Sequence, residues 1–95
     1  MTLLKFEWDK TKASANLKKH GVSFEEAKSV FYDEYAKLIS DPDHSEKEER
    51  FILLGLSNSL RVILVCHCYP SEGNVIRIIS ARKATPNESK VYKRG

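Results

Sequence analysis

Two arginines, Arg77 and Arg82, interrupt an apolar run near the end of the chain, at residues 75–82. Because the side chains of a strand alternate between its faces, Arg77 and Ile79 are predicted to share one face. The other face is predicted to hold Ile78, Ser80 and Arg82. A strand that only filled a core would not contain guanidinium groups, so the pattern indicates an anion such as a phosphate nearby. The alternative is that the arginines are solvated strand ends, or form structural ion pairs with the acidic middle of the chain.

His67 is the second candidate for chemistry, in the middle of a strand predicted over residues 61–69. The face of that strand opposite His67 is wholly apolar and includes Cys66 and Cys68. We therefore predict that this cysteine face packs on the core and that His67 points to the other side. If Arg77 shares that side, an imidazole and a guanidinium would meet where a phosphate could bind. A structural role for a single strand histidine is the alternative.

Several other residues with reactive or charged side chains are predicted to be structural. His20 closes a predicted helix, where a cation is favoured by the negative end of the helix dipole. His44 lies among carboxylates, but without the ligand spacing of a known metal site, so neither a metal site nor a cofactor is expected. The pair Glu49-Arg50 opens a predicted strand, either as a structural ion pair or at the edge of a pocket. Trp8 is predicted to lie in the core.

Charge is unevenly distributed along the 95 residues, although the net charge is only +3. Residues 1–20 contain five lysines against two carboxylates, and residues 75–95 contain six cations against one carboxylate. The middle, residues 21–74, contains ten carboxylates against five cations. If the two basic ends meet in the fold, they would form a cationic surface suited to phosphates. No membrane-spanning or secretory segment is recognised, so the expected location is the cytoplasm.

Local signals in the first half of the chain predict a short strand and two helices. After a strand over residues 3–8, Asp9 caps a helix that Gly21 ends. A second helix follows at once, because Ser23 and Glu26 form a capping box before apolar residues at helical spacing.

The second half of the chain is predicted to be mainly strands. A strand over residues 35–39 precedes three others, over residues 50–57, 61–69 and 75–82, whose links are short enough for antiparallel hairpins. Thr85, Pro86 and Glu88 begin a short final helix. The sequence thus predicts a single α+β domain over residues 1–95, with two N-terminal helices packed on an antiparallel meander sheet and a short C-terminal helix.

Four stretches of this sequence together resemble the BrnT family of toxins. They are Phe6-Glu7-Trp8-Asp9, the KHGVSFEEA stretch at 19–27 after Asn16, Asp43-His44-Ser45 with Glu48-Glu49-Arg50-Phe51, and the RIISARKA stretch at 77–84. The resemblance implies a RelE-like α+β fold and a bacterial ribonuclease toxin of a type II toxin–antitoxin system. It also implies neutralisation by a BrnA-like antitoxin that binds DNA, in an assembly of two toxins with two antitoxins.

The resemblance leads to the hypothesis of a metal-independent endoribonuclease that inhibits translation and growth. RNA can be cleaved by its own 2′-hydroxyl when a base removes the proton and cations offset the charge that builds on the phosphate. We expect His67 to transfer the proton, and Arg77 and Arg82 to stabilise the phosphate. Further contacts to RNA are expected from Lys19, Arg61, Lys83 and Tyr92.

A second hypothesis is a binding module of the same family that holds its antitoxin but cuts no RNA. In either case an acidic segment of the antitoxin is expected to occupy the cationic surface and so to exclude RNA. The expected partners are therefore RNA and an antitoxin, with no role for a membrane.

Overall fold

The computed structural model of this chain describes residues 4–40, 49–70 and 74–93. The elements are β1 (Lys5–Glu7), α1 (Lys10–His20), α2 (Phe24–Ser29) continued by a 3₁₀ turn (Val30–Tyr32), β2 (Lys37–Ser40), β3 (Phe51–Leu56), β4 (Val62–Cys68), β5 (Val75–Lys83) and α3 (Pro86–Lys93). Within these ranges, no helix is both long and apolar enough to cross a membrane. His44, and with it the prediction about a metal site there, lies outside the described residues.

The strands form one sheet in the order β1-β5-β4-β3-β2. Neighbours from β2 to β5 are antiparallel, as predicted, and the α+β class with two N-terminal helices is confirmed. The sheet is mixed, however, because β1 pairs in parallel with β5. Since α1 also packs against β5, the two basic ends of the sequence meet in the fold, which is the condition stated above for a cationic surface.

Each helix begins at a side chain that caps it. Asp9 accepts a hydrogen bond from the Lys12 amide at 3.0 Å, and Ser23 accepts one from the Glu26 amide at 3.0 Å. At α3 the predicted capping box is complete, because Thr85 and Glu88 each accept the other's backbone N–H. The box predicted at Ser23 is only half formed, since the Glu26 carboxylate accepts hydrogen bonds from Ser57 and Arg61 instead.

The hydrophobic core lies between α2 and one face of the sheet. Its residues are buried and come from α2 and its flanks (Val22, Phe24, Ala27, Val30) and from the strands (Leu53, Ile63, Val65, Ile78, Ala81). Trp8 packs against this core, with its ring 5.9 Å from that of Phe24, as predicted. The face of β4 that packs on the core is therefore the Ile63, Val65 and His67 face.

The prediction that the cysteine face of β4 packs on the core, with His67 on the other side, is thus wrong about His67 and about the face that α2 covers, although Leu64 and Cys68 of the cysteine face are also buried. Both faces of β4 are apolar enough to be buried, so the alternation of side chains could not identify the one that α2 covers. His67 is 0% exposed and its ring lies 4.8 Å from the ring of Phe31 in the 3₁₀ turn. Cys66, on the opposite face, is half-buried.

A bulge in β5 changes which side chains share a face. Cys66 lies opposite Ser80, but the next residue, His67, lies opposite Ile78, so Ile79 is an extra residue in β5. Ile78 consequently points into the core with Ala81. Arg77 lies opposite Cys68 and so on the far face of the sheet, the face opposite α2, together with Arg82. The predicted separation of the two arginines onto different faces is wrong for this reason.

The amide of Asn16 closes the edge of β5 beyond the short pairing with β1. The Asn16 Nδ2 donates to the Ala81 carbonyl at 2.9 Å, and the Ala81 N–H donates to the Asn16 Oδ1 at 3.1 Å. The same Nδ2 donates to the Val22 carbonyl at 2.9 Å. A buried side chain of α1 therefore replaces a neighbouring strand at Ala81 and fixes the helix to the sheet edge.

We predict that Asn16→Ala lowers the free energy of unfolding by about 2–3 kcal/mol, because it leaves the buried N–H and carbonyl of Ala81 without their partner. Urea denaturation followed by circular dichroism measures the change. Ser14→Ala, at an exposed position of the same helix, is the matched control and should change the value by less than about 0.5 kcal/mol. Equal losses of unfolding free energy in the two variants would contradict the role of Asn16 in fixing α1 to the edge of β5.

Candidate functional site

A groove of about 360 Å³ lies on the far face of the sheet, beside the C-terminal end of α1. Ile52, Cys66 and Ser80 form part of its floor, because they lie opposite one another across β3, β4 and β5. Three side chains that can be cationic line it, namely His20, Arg50 and Arg82. We call this the cationic groove. Its mixed polar and apolar floor and its basic walls suit an anion attached to a larger molecule.

Arg50, which lines the cationic groove, carries an unused hydrogen-bond donor. Its Nε is buried and has no hydrogen-bond partner within the described part of the chain. Leaving a buried donor unsatisfied costs about 1–3 kcal/mol, so this nitrogen favours the binding of an acceptor. A phosphate oxygen matches it, because guanidinium groups bind phosphates through paired N–H donors.

Arg82 lies in the same groove and is paired with Glu88 of α3. Its two terminal nitrogens donate to the two carboxylate oxygens at 2.9 and 3.0 Å. Hydrogen bonding to Arg82 is the main reason why the pKa of Glu88 falls to about 2. Arg82 therefore forms an ion pair, but the alternative prediction of a partner in the acidic middle of the chain is wrong, because the partner is Glu88 of the final helix. The pair is partly exposed, and the cationic groove is open beside it.

Arg77 lies outside the cationic groove, although it shares the far face of the sheet with Arg82. Its Nε donates to the Glu7 carboxylate at 2.7 Å, and both side chains are nearly half exposed. It lines a second depression together with Trp8, Asp9 and Lys12. Ile79, the extra residue of the bulge, lines both depressions, so the two predicted phosphate ligands lie on either side of it.

His67 is buried on the core side of the sheet and does not meet Arg77. The Val65 carbonyl can only accept, so His67 Nδ1 is the donor in their 3.1 Å contact. His67 Nε2 then accepts from the Tyr69 hydroxyl at 3.2 Å. Burial lowers the pKa of His67 below its ordinary value, so the ring is neutral near pH 7. The predicted phosphate site between His67 and Arg77 is therefore wrong, because the two side chains lie on opposite faces.

The role of His67 in proton transfer stays a prediction, and the geometry restricts it. With no exposed surface, the imidazole is connected towards solvent, among the described residues, by its hydrogen bond with Tyr69, a residue that is 46% exposed. The ring contacts Phe31, Phe51 and Tyr69, an aromatic environment that also explains a purely structural role.

Arg61 makes structural contacts. It forms an ion pair with Glu26, whose pKa it lowers mainly by hydrogen bonding, and it donates to the Gly21 carbonyl at 3.1 Å. Arg61 thus ties the end of α1 to the start of α2. Lys83 lies opposite Ile63, on the core side of β5, and is exposed. Lys19 is also exposed, on α1.

Tyr92 holds α3 to the rest of the domain. Its hydroxyl donates to Asp33 at 2.7 Å, and this hydrogen bond is the main reason why the pKa of Tyr92 rises to about 12.

Of the predicted catalytic and RNA-binding residues, Arg82 alone lines the cationic groove. The groove also contains two residues that were not among the predicted site residues, His20 and Arg50. Both were predicted to be structural, with the edge of a pocket as the alternative for Arg50. The available signal was that both lie within the stretches that carry the family resemblance.

Comparison with known proteins identifies the same family as those stretches. A family model described as "Ribonuclease toxin, BrnT, of type II toxin-antitoxin system" matches residues 8–88. The crystal structure of the Brucella abortus ribonuclease toxin BrnT superposes with a TM-score of 0.64 at 27% identity. That match covers 87% of this chain and 99% of the Brucella chain. No curated protein matches the sequence.

We predict that the Arg82–Glu88 pair makes stability depend on pH in acid. The pKa of Glu88 is about 2 in the folded chain against 4.5 ordinarily, so its contribution is complete above about pH 4.5 and is lost as pH falls towards 2. Glu88→Gln should therefore lose less stability over that interval than the unsubstituted chain, measured as urea midpoints. Glu25→Gln, at an exposed position of α2, is the control and should behave like the unsubstituted chain. A Glu88→Gln profile that superposes on that of the control would contradict the predicted coupling.

Proposed function

This chain belongs to the BrnT family of ribonuclease toxins of type II toxin–antitoxin systems, and we propose that it cleaves RNA in the cationic groove. The observation that supports this location best is the buried, unsatisfied Nε of Arg50 in the same groove as Arg82. Cleavage of transcripts would stop translation and arrest growth in the cytoplasm until an antitoxin binds.

The two arginines suit the charge that develops during cleavage. Attack on phosphorus places additional negative charge on the non-bridging oxygens, and donors that are already oriented stabilise it most effectively. Arg50 immediately precedes β3 and Arg82 lies in β5, so the two can contact one phosphate from two directions. The attacking nucleophile is the RNA's own 2′-hydroxyl, so the reaction does not require a metal-bound hydroxide. We therefore propose metal-independent cleavage.

RNA is guided to the groove by the basic surface where the two ends of the sequence meet. Lys18 and Lys19 are exposed beside His20 in the last turn of α1, and Lys83 is exposed at the end of β5. Such charges attract a polyanion over distances near the Debye length, about 8 Å at physiological ionic strength. Binding should consequently weaken as salt rises.

An acidic segment of a BrnA-like antitoxin would occupy the same groove. Glu88 already demonstrates that a carboxylate fits the Arg82 guanidinium with two parallel hydrogen bonds. A partner carboxylate can make that contact in place of RNA, which would explain neutralisation. We propose an assembly of two toxins with two antitoxins, in which the antitoxin also binds DNA.

A second candidate function is that of an antitoxin-binding module without ribonuclease activity. The observation in its favour is that both strand arginines are already paired with carboxylates of this chain, Arg77 with Glu7 and Arg82 with Glu88. In that case the far face of the sheet would bind the acidic antitoxin segment and leave RNA intact.

We predict that Arg50→Gln and Arg82→Gln each lower the rate of RNA cleavage by about 100- to 1,000-fold, the typical loss for one electrostatic donor. The measurement is cleavage of a labelled messenger transcript by the purified chain in EDTA, with folding checked by circular dichroism. Lys10→Gln, at an exposed position at the far end of α1, is the control for loss of one cation. Arg77→Gln and His67→Asn test the two other predicted catalytic residues.

Three outcomes would overturn parts of this proposal. Cleavage at an unchanged rate by folded Arg50→Gln and Arg82→Gln would place the site elsewhere. Loss of activity in EDTA, restored by added magnesium, would contradict metal independence. A folded, unsubstituted chain that binds its antitoxin but cuts no transcript, with or without ribosomes, would favour the binding module.

A further inference from the structure

We propose that His20 is the catalytic residue that transfers protons during RNA cleavage, an inference that rests on the function proposed above. His20 lines the cationic groove with Arg50 and Arg82, and its side chain is half-buried. It is the histidine among the described residues that shares a pocket with the two candidate phosphate ligands. Imidazole is the side chain best suited to exchange protons near neutral pH.

The sheet edge fixes the side of α1 that carries His20. His20 follows Asn16 by four residues, so the two side chains leave the same face of the helix. Asn16 is held to the backbone of Ala81 in both directions. One turn later, His20 accordingly lies against β5, where Ala81 and Arg82 line the groove with it.

The chain just after His20 is fixed as well. Gly21 adopts the left-handed conformation at φ 69°, and its N–H donates to the Leu17 carbonyl at 2.9 Å. Its own carbonyl accepts a hydrogen bond from Arg61, which is itself paired with Glu26. Arg61 is therefore a positioning residue for the helix end that presents His20, and needs no contact with RNA for that role.

The proposed step balances with the groups in the groove and RNA alone. The 2′-oxygen bonds to phosphorus while the proton of the 2′-hydroxyl passes to the unprotonated ring nitrogen of His20. The bond between phosphorus and the 5′-oxygen breaks, and the imidazolium returns a proton to that oxygen. The products are a 2′,3′-cyclic phosphate end and a 5′-hydroxyl end, and His20 regains its starting form. Arg50 and Arg82 hold the non-bridging oxygens throughout.

The decisive test is chemical rescue of a histidine-deleted variant. His20→Ala should cut a labelled transcript about 100- to 10,000-fold more slowly than the unsubstituted chain at saturating protein, the usual value of acid–base help. Added imidazole should restore a measurable part of that rate in His20→Ala. It should not restore cleavage in Arg82→Gln, which retains His20, and Lys10→Ala should cut at the unsubstituted rate. The cleaved ends, identified by mass spectrometry, should be a cyclic phosphate and a 5′-hydroxyl.

The result separates this inference from the function on which it rests. If the unsubstituted chain cuts no RNA, the proposed function fails. If it cuts RNA and folded His20→Ala cuts at the same rate, the function stands and His20 is not the proton-transfer residue. A slow His20→Ala variant that imidazole does not rescue, together with a comparable loss in Tyr69→Phe, would return the role to His67 acting through Tyr69. The expected pattern is that His67→Asn cleaves at the unsubstituted rate, whereas His20→Ala cleaves slowly and is rescued by imidazole.

Discussion

The attachment of α1 to the open edge of β5 is the contact on which the site depends. β1 pairs with β5 only from Val75 to Arg77, so the backbone of β5 beyond the bulge would otherwise be an unpaired edge of the sheet. Asn16, a residue of α1, forms hydrogen bonds with both backbone groups of Ala81. A strand in the same position would also cover the residues on either side of Ala81. The edge is thereby closed against pairing with another chain, while the groove next to it stays accessible.

The bulge at Ile79 has a related consequence for the far face of the sheet. If Ile79 were part of a regular strand with no bulge, strict alternation would place Arg77 on the core side with Ala81, where a guanidinium would need a buried partner. The register shift instead points Ile78 into the core and Arg77 outwards to Glu7. The one extra residue therefore lets Ile78 fill the core while Arg77 pairs with Glu7 at the surface. It also separates Arg77 from the cationic groove.

Features determined by neighbouring residues could be predicted from the sequence, whereas features determined by distant contacts could not. The helix starts at Asp9, Ser23 and Thr85 were predictable because a cap is a hydrogen bond across three residues. The buried face of β4 was not, since both faces are apolar and the choice depends on where α2 packs. The groove could not be predicted from local patterns either, because His20 of α1, Arg50 just before β3 and Arg82 of β5 meet only in the fold. The parallel pairing of β1 with β5 has the same cause.

The burial of each ion pair decides which arginine can exchange its carboxylate for a phosphate. The Glu26 side chain is only 9% exposed and also accepts a hydrogen bond from Ser57. Removing Arg61 would leave this buried carboxylate without its cation, at a cost of roughly 3–5 kcal/mol in the free energy of unfolding. Arg82 and Glu88 are 44% and 29% exposed, and pairs at such positions contribute only about 0–1 kcal/mol. In the proposed site, an RNA phosphate that gains negative charge as cleavage proceeds would compete with Glu88 for Arg82, and Glu88 would keep its hydrogen bond from the Thr85 amide. Arg61 as an RNA-binding residue stays a prediction, but exchanging its Glu26 for a phosphate would cost more than the same exchange at Arg82.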